Sequence, residues 1–320
     1  MRTVIPDAYE GRPLRDFLQG ELRLSRRLIT RLKAAEDGIL LCGRPVTVRA
    51  TLHGGDVLTL ATEDAPDALT SVVPSGTLPP ILYEDEYILL CNKPGNMPTH
   101  PSHGHFDDTL ANAVAAYLLA KEGRTAPFRP VNRLDRQTSG IVLAAKDQLS
   151  AGRLSEQLRE GRIQKTYLAI LDGIPEPRQG VINAAIRRAE QSIITRAVCR
   201  EDEPGAHTAC TQYQVLADWN TADGQPRSLA LAHPLTGRTH QLRVHFSHIG
   251  TPILGDRLYG RTPSDSPLAR HYLHAHALRF VHPVTGQELT VRAPLPDDMA
   301  ACLPGEWRDT LSFDSKEERL

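Results

Sequence analysis

The sequence predicts an α+β protein of two units, and three observations carry that prediction. Residues 10–62 read as two short helices followed by short strands, a small α/β unit. Residues 63–78, TEDAPDALTSVVPSGT, are polar, hold Pro and Gly, and read as a linker. Residues 79–304 carry the remaining strand signals with three helical stripes among them, and 305–320 reads as a polar tail. At 320 residues the chain is long enough for a sizeable core.

Composition narrows the function classes. A hydrophobic fraction of 40% and a mean hydropathy of -0.32 suit a soluble globular chain. No apolar run reaches about 18 residues, so no membrane span is expected. Residues 1–10 lack the apolar core of a signal peptide. Five cysteines, Cys42, Cys91, Cys199, Cys210 and Cys302, are scattered without CxxC spacing. That points to reduced thiols in a cytoplasm, not to disulfides or a zinc site. A monomer is expected. The net charge of -1 does not advertise a nucleic-acid partner. Charge is segregated, however. Between residues 11 and 49, Arg12, Arg15, Arg23, Arg26, Arg27, Arg31, Lys33, Arg44 and Arg49 face only Asp16, Glu21, Glu36 and Asp37.

In the first unit, Leu14, Phe17 and Leu18 have helical spacing. Ser25 is the expected N-cap of a second helix carrying Leu28, Ile29 and Leu32, which Gly38 stops. Arg26, Arg27, Arg31 and Lys33 decorate that helix. Strands are expected at 39–42 and 56–60, with turns at GRP and HGG. This arrangement resembles the alpha-L RNA-binding motif of ribosomal proteins and rRNA-modifying enzymes. The resemblance implies phosphate contacts by these side chains; a solvated basic helix is the competing reading.

Beyond the linker, residues 80–91 read as two strands around an acidic turn, followed by the loop NKPGNMP at 92–98. A lysine on such a loop, Lys93, is more often a surface residue than a phosphate ligand. His100, His103 and His105 are loop-borne, and no metal site is expected from them. Asp108 is the expected cap of a core helix with Leu110, Val114, Tyr117 and Leu118 on one stripe. Then comes VNRLDRQTSG at 131–140, with Asp135 between Arg133 and Arg136, followed by the buried strand IVLAA. An ionised carboxylate fixed in a cationic site suits nucleophilic or general-base work. A structural ion pair is the bland alternative. Leu149, Leu154 and Leu158 mark a helix ending near Gly161. QKTYLAIL at 164–171 is an apolar strand opened by Lys165 and Tyr167. Residues 208–216 and 228–232 are further strands. LTGRTHQLRVH at 235–245 starts a helix, with Thr239 as its expected cap and Leu242, Phe246 and Ile249 on its buried stripe. A buried Arg243 there needs a carboxylate partner. HPVTG at 282–286 reads as a hairpin turn joining two strands.

Four blocks of the chain, in order from about Leu78 to Pro296, resemble the RluA-type RNA pseudouridine synthases: NKPxG, RLDRxTSG, KxY and TGRTHQxRVH. PILGDRLYG at 252–260 and LHAHALRF at 273–280 match as well. Asn132 departs from the family, which usually has His there, and no role is assigned to it. The resemblance implies a mixed, mainly antiparallel sheet in the catalytic domain. It implies isomerisation of uridine in RNA, in either rRNA or tRNA, with rRNA slightly favoured by the N-terminal unit. Asp135 would act on the ribose, adding to the anomeric carbon or taking a neighbouring proton. Tyr167 would stack on the base, and Arg243 would pair with Asp135. Arg133, Arg136, Thr138, Lys165, Arg238, His240, Gln241 and Leu242 would line the substrate side, although His240 and Gln241 could equally be cap residues. No redox, phosphoryl or metal chemistry is needed, so no cofactor is expected. The target uridine must leave its stack, at a cost of a few kcal/mol. Two rivals are a non-catalytic RNA-binding protein and a glycosidic hydrolase, which would need a second carboxylate as acid.

Overall fold

The computed structural model describes residues 1–61, 72–123, 127–190, 192, 194–263, 268–305 and 307. Most of the expected linker and tail, and the side chain of Arg27, lie outside the described residues. In the first unit, β1 (Arg2–Val4), β2 (Ile39–Leu41), β3 (Arg44–Pro45) and β4 (Val57–Leu60) form a sheet in the order β1-β4-β2-β3. Each of these pairings is antiparallel. β1 precedes the expected boundary at residue 10; its three residues are too few to show a period, and pairing with β4 defines it. α1 (Leu14–Asp16) runs into a π-type turn at Phe17–Glu21, and α2 spans Arg26–Ala34. Ser25 caps α2, its hydroxyl accepting from Leu28 N–H at 3.2 Å. The helix ends before Gly38, because Ala35 is already extended. Gly38 has a different reason: a Cβ there would lie 2.0 Å from the Leu32 carbonyl oxygen. Leu14, Phe17, Leu18, Leu28, Ile29, Leu32, Ile39, Leu58 and Leu60 close the core, and Leu149 of the larger unit joins it.

The larger unit holds β5 (Ile81–Glu84), β6 (Ile88–Lys93), β7 (Arg129–Pro130), β8 (Ser139–Ala145), β9 (Gln164–Asp172) and β10 (Gln179–Asn183). β11 (Ile186–Arg188) and β12 (Arg196–Val198) make a separate two-stranded ribbon. β13 (Cys210–Asn220), β14 (Pro226–Pro234), β15 (Leu273–Val281) and β16 (Glu288–Arg292) complete the described set. The large sheet runs β10-β13-β14-β9-β15-β8-β6-β5, with β7 on β8 and β16 on β15. Among the described residues only β8 and β15 pair in parallel, so the sheet is mixed and mainly antiparallel, and the class is α+β.

Among the described residues, four helices accompany this sheet: α3 (Leu110–Glu122), α4 (Gln148–Arg159), α5 (Gln241–His248) and α6 (Asp297–Ala300). Two expected caps are corrected. Thr109, not Asp108, caps α3 in a reciprocal box with Asn112; Asp108 instead contacts His105 Nδ1 at 2.6 Å. α5 follows His240 in the left-handed region (φ 58°) with no side-chain cap, so Thr239 does not cap it. β8 is buried at all seven positions, as expected for a strand covered on both faces. Val142 packs in one cluster with Leu110, Leu242 and Phe246, and Ile141 and Leu143 in another with Leu154. Among the described residues, no helix is long and apolar enough to cross a membrane.

The parallel pairing of β8 with β15 explains the glycine of RLDRQTSG. Gly140 has φ +110°, and a Cβ there would lie 2.2 Å from the Ala275 carbonyl oxygen. Only glycine lets β15 approach this closely. The turn carrying Asp135 is thereby delivered at the start of β8, beside β15.

Candidate active site

The residues around Asp135 form a loop whose backbone is held from several directions. Asn132, for which no role was expected, is the first anchor. Its Nδ2 donates to Ile141 O at 2.9 Å and its Oδ1 accepts from Leu143 N–H at 2.8 Å. An amide offers both a donor and an acceptor, so it mimics a strand partner for β8. Thr99 Oγ1 donates to Leu134 O at 2.9 Å. Thr138 N–H closes a turn on Asp135 O at 3.1 Å. Lys93 Nζ reaches Arg136 O at 3.2 Å, and Arg270 Nη1 reaches Gln137 O at 3.3 Å. Four successive carbonyls, from 134 to 137, are thus bonded.

Asp135 itself is 30% exposed, open enough to meet a substrate. Arg243 Nη1 donates to its Oδ2 at 3.2 Å, across 108 residues of sequence. The same guanidinium forms a bidentate pair with Asp256, Nε to Oδ2 at 2.7 Å and Nη2 to Oδ1 at 2.9 Å. Asp256 is fully buried and its Oδ1 also accepts from the N–H groups of Leu258 and Tyr259. Burial disfavours the Arg243 charge, but Asp256 and Asp135 outweigh it and raise its pKa. Burial likewise pushes Asp256 up, and Arg243 more than offsets it, leaving the carboxyl below its ordinary range. Asp256 lies within PILGDRLYG, yet no sequence pattern marks it as a site residue. The available signal is arithmetic: a buried guanidinium with five N–H donors needs more than one acceptor.

The other expected residues divide into those at the opening and those behind it. Tyr167 is 9% exposed and packs in one cluster with Leu134, Leu242 and Phe246; burial, then the Asp135 charge, raises its pKa. Arg133, Arg136 and Arg238 are exposed, with Arg136 Nη1 3.2 Å from His105 Nε2 and Arg238 Nε donating to Thr208 O at 3.0 Å. Lys165 is half-buried, and burial lowers its pKa. His240 Nε2 lies 3.8 Å from Asp135 Oδ2. Two expected substrate contacts face inward instead. Thr138 is 2% exposed with its hydroxyl 2.8 Å from His271 Nε2, which leaves it no surface for RNA. Gln241 is 4% exposed, and its side chain is engaged with Thr236, Arg238, Cys210 and Thr211, which ties the start of α5 to the segment before it and to β13 without capping the helix. Arg26 and Lys33 are exposed on the first unit, and Arg31 donates to Ala61 O at 3.5 Å.

Lys93 reverses the surface expectation. It is fully buried, and its ammonium also donates to Pro94 O at 2.9 Å and Met97 O at 2.8 Å. It therefore staples the 94–97 loop to the Asp135 loop. Burial, with Arg270 adding to it and Asp135 opposing, pushes its pKa down to about 7. An unfolded lysine titrates near pH ~10.4. Between these values the unfolded chain binds more protons, so Lys93 makes stability rise with pH. Lys93→Met is expected to flatten that rise between pH 7 and 9 in urea denaturation. An identical pH slope in the variant would disprove the assignment.

Comparisons with known proteins point one way. Residues 87–248 match the RNA pseudouridylate synthase family. An uncharacterized RNA pseudouridine synthase of Bacillus subtilis, YjbO, is 36% identical over 287 residues, 90% of this chain and 97% of that protein. Ribosomal large subunit pseudouridine synthase D of Xylella fastidiosa is 33% identical over 335 residues, 99% of this chain and 96% of that protein. The solved structure of human RNA pseudouridylate synthase domain containing 1 superposes with a TM-score of 0.58 at 30% identity, covering 73% of this chain and 94% of that one. With the mixed sheet and the RLDR and TGRTHQ blocks side by side, the chain belongs to the RluA-type RNA pseudouridine synthase family, and it is an isomerase acting on uridine in RNA.

Proposed function

We propose that Asp135 performs the isomerisation by acting on the ribose of a flipped uridine. The observation that supports it is the 3.2 Å contact between Asp135 and an Arg243 already locked by Asp256. The bond from the anomeric carbon to the uracil nitrogen breaks. Asp135 either adds to that carbon or removes the proton of its neighbour. The base turns and its carbon-5 bonds to the anomeric carbon; in the first case the Asp135–ribose bond breaks as this bond forms, and in the second Asp135 returns the proton to the neighbouring carbon. Carbon-5 then releases its proton, and the freed ring nitrogen takes one up. Tyr167 forms the floor beneath the base, supported by Leu242. Arg133, Arg136 and Arg238 meet phosphates at the rim. A hydrolase is disfavoured by Asp256: a second carboxylate is near, but it is buried, salt-bridged and held ionised, the opposite of a general acid. Tritium release from RNA labelled at uridine carbon-5 is the direct test. Absence of release from total cellular RNA would leave the non-catalytic reading standing.

Ribosomal RNA is the proposed substrate. The Xylella relative, named for the large ribosomal subunit, aligns over 99% of this chain, including the N-terminal unit. That unit carries a cleft of about 420 Å³ lined by Arg15, Arg26, Lys33 and Arg49, which we assign to RNA phosphates. Replacing these four by Gln is expected to weaken RNA binding. The slope of log affinity against log salt should become shallower by about 0.7–0.9 for each phosphate that is no longer neutralised. Filter binding at several salt concentrations measures it, and an unchanged slope would exclude the cleft.

A further inference from the structure

Tyr259 touches both side chains that approach Asp135. The Arg243 guanidinium carbon lies 5.0 Å from its ring centroid. Its hydroxyl is 2.7 Å from His240 Nδ1, and His240 Nε2 faces Asp135 Oδ2 at 3.8 Å. Three more bonds fix the tyrosine. Its N–H donates to Asp256 Oδ1 at 3.1 Å, its carbonyl accepts from Ser247 Oγ at 2.7 Å, and its hydroxyl accepts from Arg196 N–H at 2.8 Å.

These bonds select one tautomer of His240. Arg196 N–H occupies a lone pair of the phenol oxygen, which leaves the phenol proton to be donated to Nδ1. The ring proton then sits on Nε2 and points towards the Asp135 carboxylate. The opposite tautomer would aim the Nε2 lone pair at that carboxylate and strand the phenol proton. Protonation states agree. Burial raises the pKa of Tyr259, so it keeps its proton. Burial lowers that of His240; Asp135 and Asp256 oppose this, while Arg243 and Arg196 reinforce it.

We propose that Tyr259 is a positioning residue for the isomerisation: it locks His240 as the Nε2–H tautomer, so that His240 and Arg243 both present N–H groups to Oδ2 of Asp135. This rests on the proposed role of Asp135. The 3.8 Å gap exceeds a hydrogen bond and closes by less than about 1 Å when the site tightens on substrate.

The tautomer is read by nitrogen NMR of the full-length enzyme labelled at histidine, with His240 assigned from the spectrum of His240→Gln. The expected wild-type signal at pH 7.5 is Nε2–H, and Tyr259→Phe should populate the Nδ1–H form. In tritium-release assays, Tyr259→Phe should lower kcat about tenfold at pH 8 with KM within about twofold. The deficit should shrink as pH falls through the lowered pKa of His240, below the ordinary imidazole range, where the imidazolium again presents an N–H to Asp135. A tyrosine serving only packing would cost the same factor at every pH. Such a uniform loss, an unchanged kcat, or an Nδ1–H signal in wild type overturns the proposal. The NMR reading needs no substrate, and the wild-type spectrum decides even if the variant fails to fold. An active Asp135→Asn enzyme, by contrast, would overturn only the role of Asp135.

Discussion

Asp135→Asn is expected to reduce tritium release by at least about 10³-fold, the scale set by removing an acid–base or nucleophilic group. Asparagine keeps the shape of the side chain, and its amide oxygen can still accept from Arg243. Arg243 stays neutralised by its bidentate pair with Asp256, so the fold does not depend on the Asp135 charge. The loop is fixed by Thr99, Lys93, Arg270 and Asn132, which bond backbone groups around it and leave the Asp135 carboxylate to Arg243. Stability should therefore stay within about 1 kcal/mol of wild type, and RNA affinity within about twofold. The decisive combination is turnover with binding: a variant that binds and still releases tritium would remove Asp135 from the mechanism.

Asp256→Ala is the substitution with the largest expected effect on stability. It strips a buried guanidinium of its bidentate partner and leaves it the partly exposed 3.2 Å contact to Asp135 and the face of the Tyr259 ring. Breaking a buried pair in this way costs about 3–5 kcal/mol. A double replacement, Asp256→Ala with Arg243→Met, removes the stranded charge and should recover part of that cost. Urea denaturation of wild type and the two variants measures both effects. A single variant destabilised by less than about 1 kcal/mol, or a double variant no better than it, would refute the lock. The pH dependence follows from the lowered pKa of Asp256. A depressed carboxyl contributes stability that is complete above its unfolded value of about 3.9 and is lost as pH falls through the lower folded value. The lock is therefore constant across neutral pH and fails only in acid.

Period and local chemistry were enough to read much of the fold and part of the site. The apolar runs at β6, β8 and β9 and the stripes of α3, α4 and α5 announce both the elements and their buried faces. The need of Arg243 for a carboxylate was legible too, because a guanidinium on a buried helical face cannot stand unpaired. Which segments meet is set only once the chain has folded. Lys93 looks like a loop lysine until three carbonyls from two loops converge on it. Asn132 looks like a departure from a motif until β8 presents it with a carbonyl and an N–H. Thr138 reads as a polar residue beside the Asp135 carboxylate until His271 covers it. Asp256 and Tyr259 carry no periodic signal and become partners of Arg243 and His240 only when the 252–260 loop folds against α5. Pattern records which way a side chain faces along its own strand or helix; the contacts that hold Asp135 and its loop reach across 35, 43, 108 and 133 residues, and no local period encodes those.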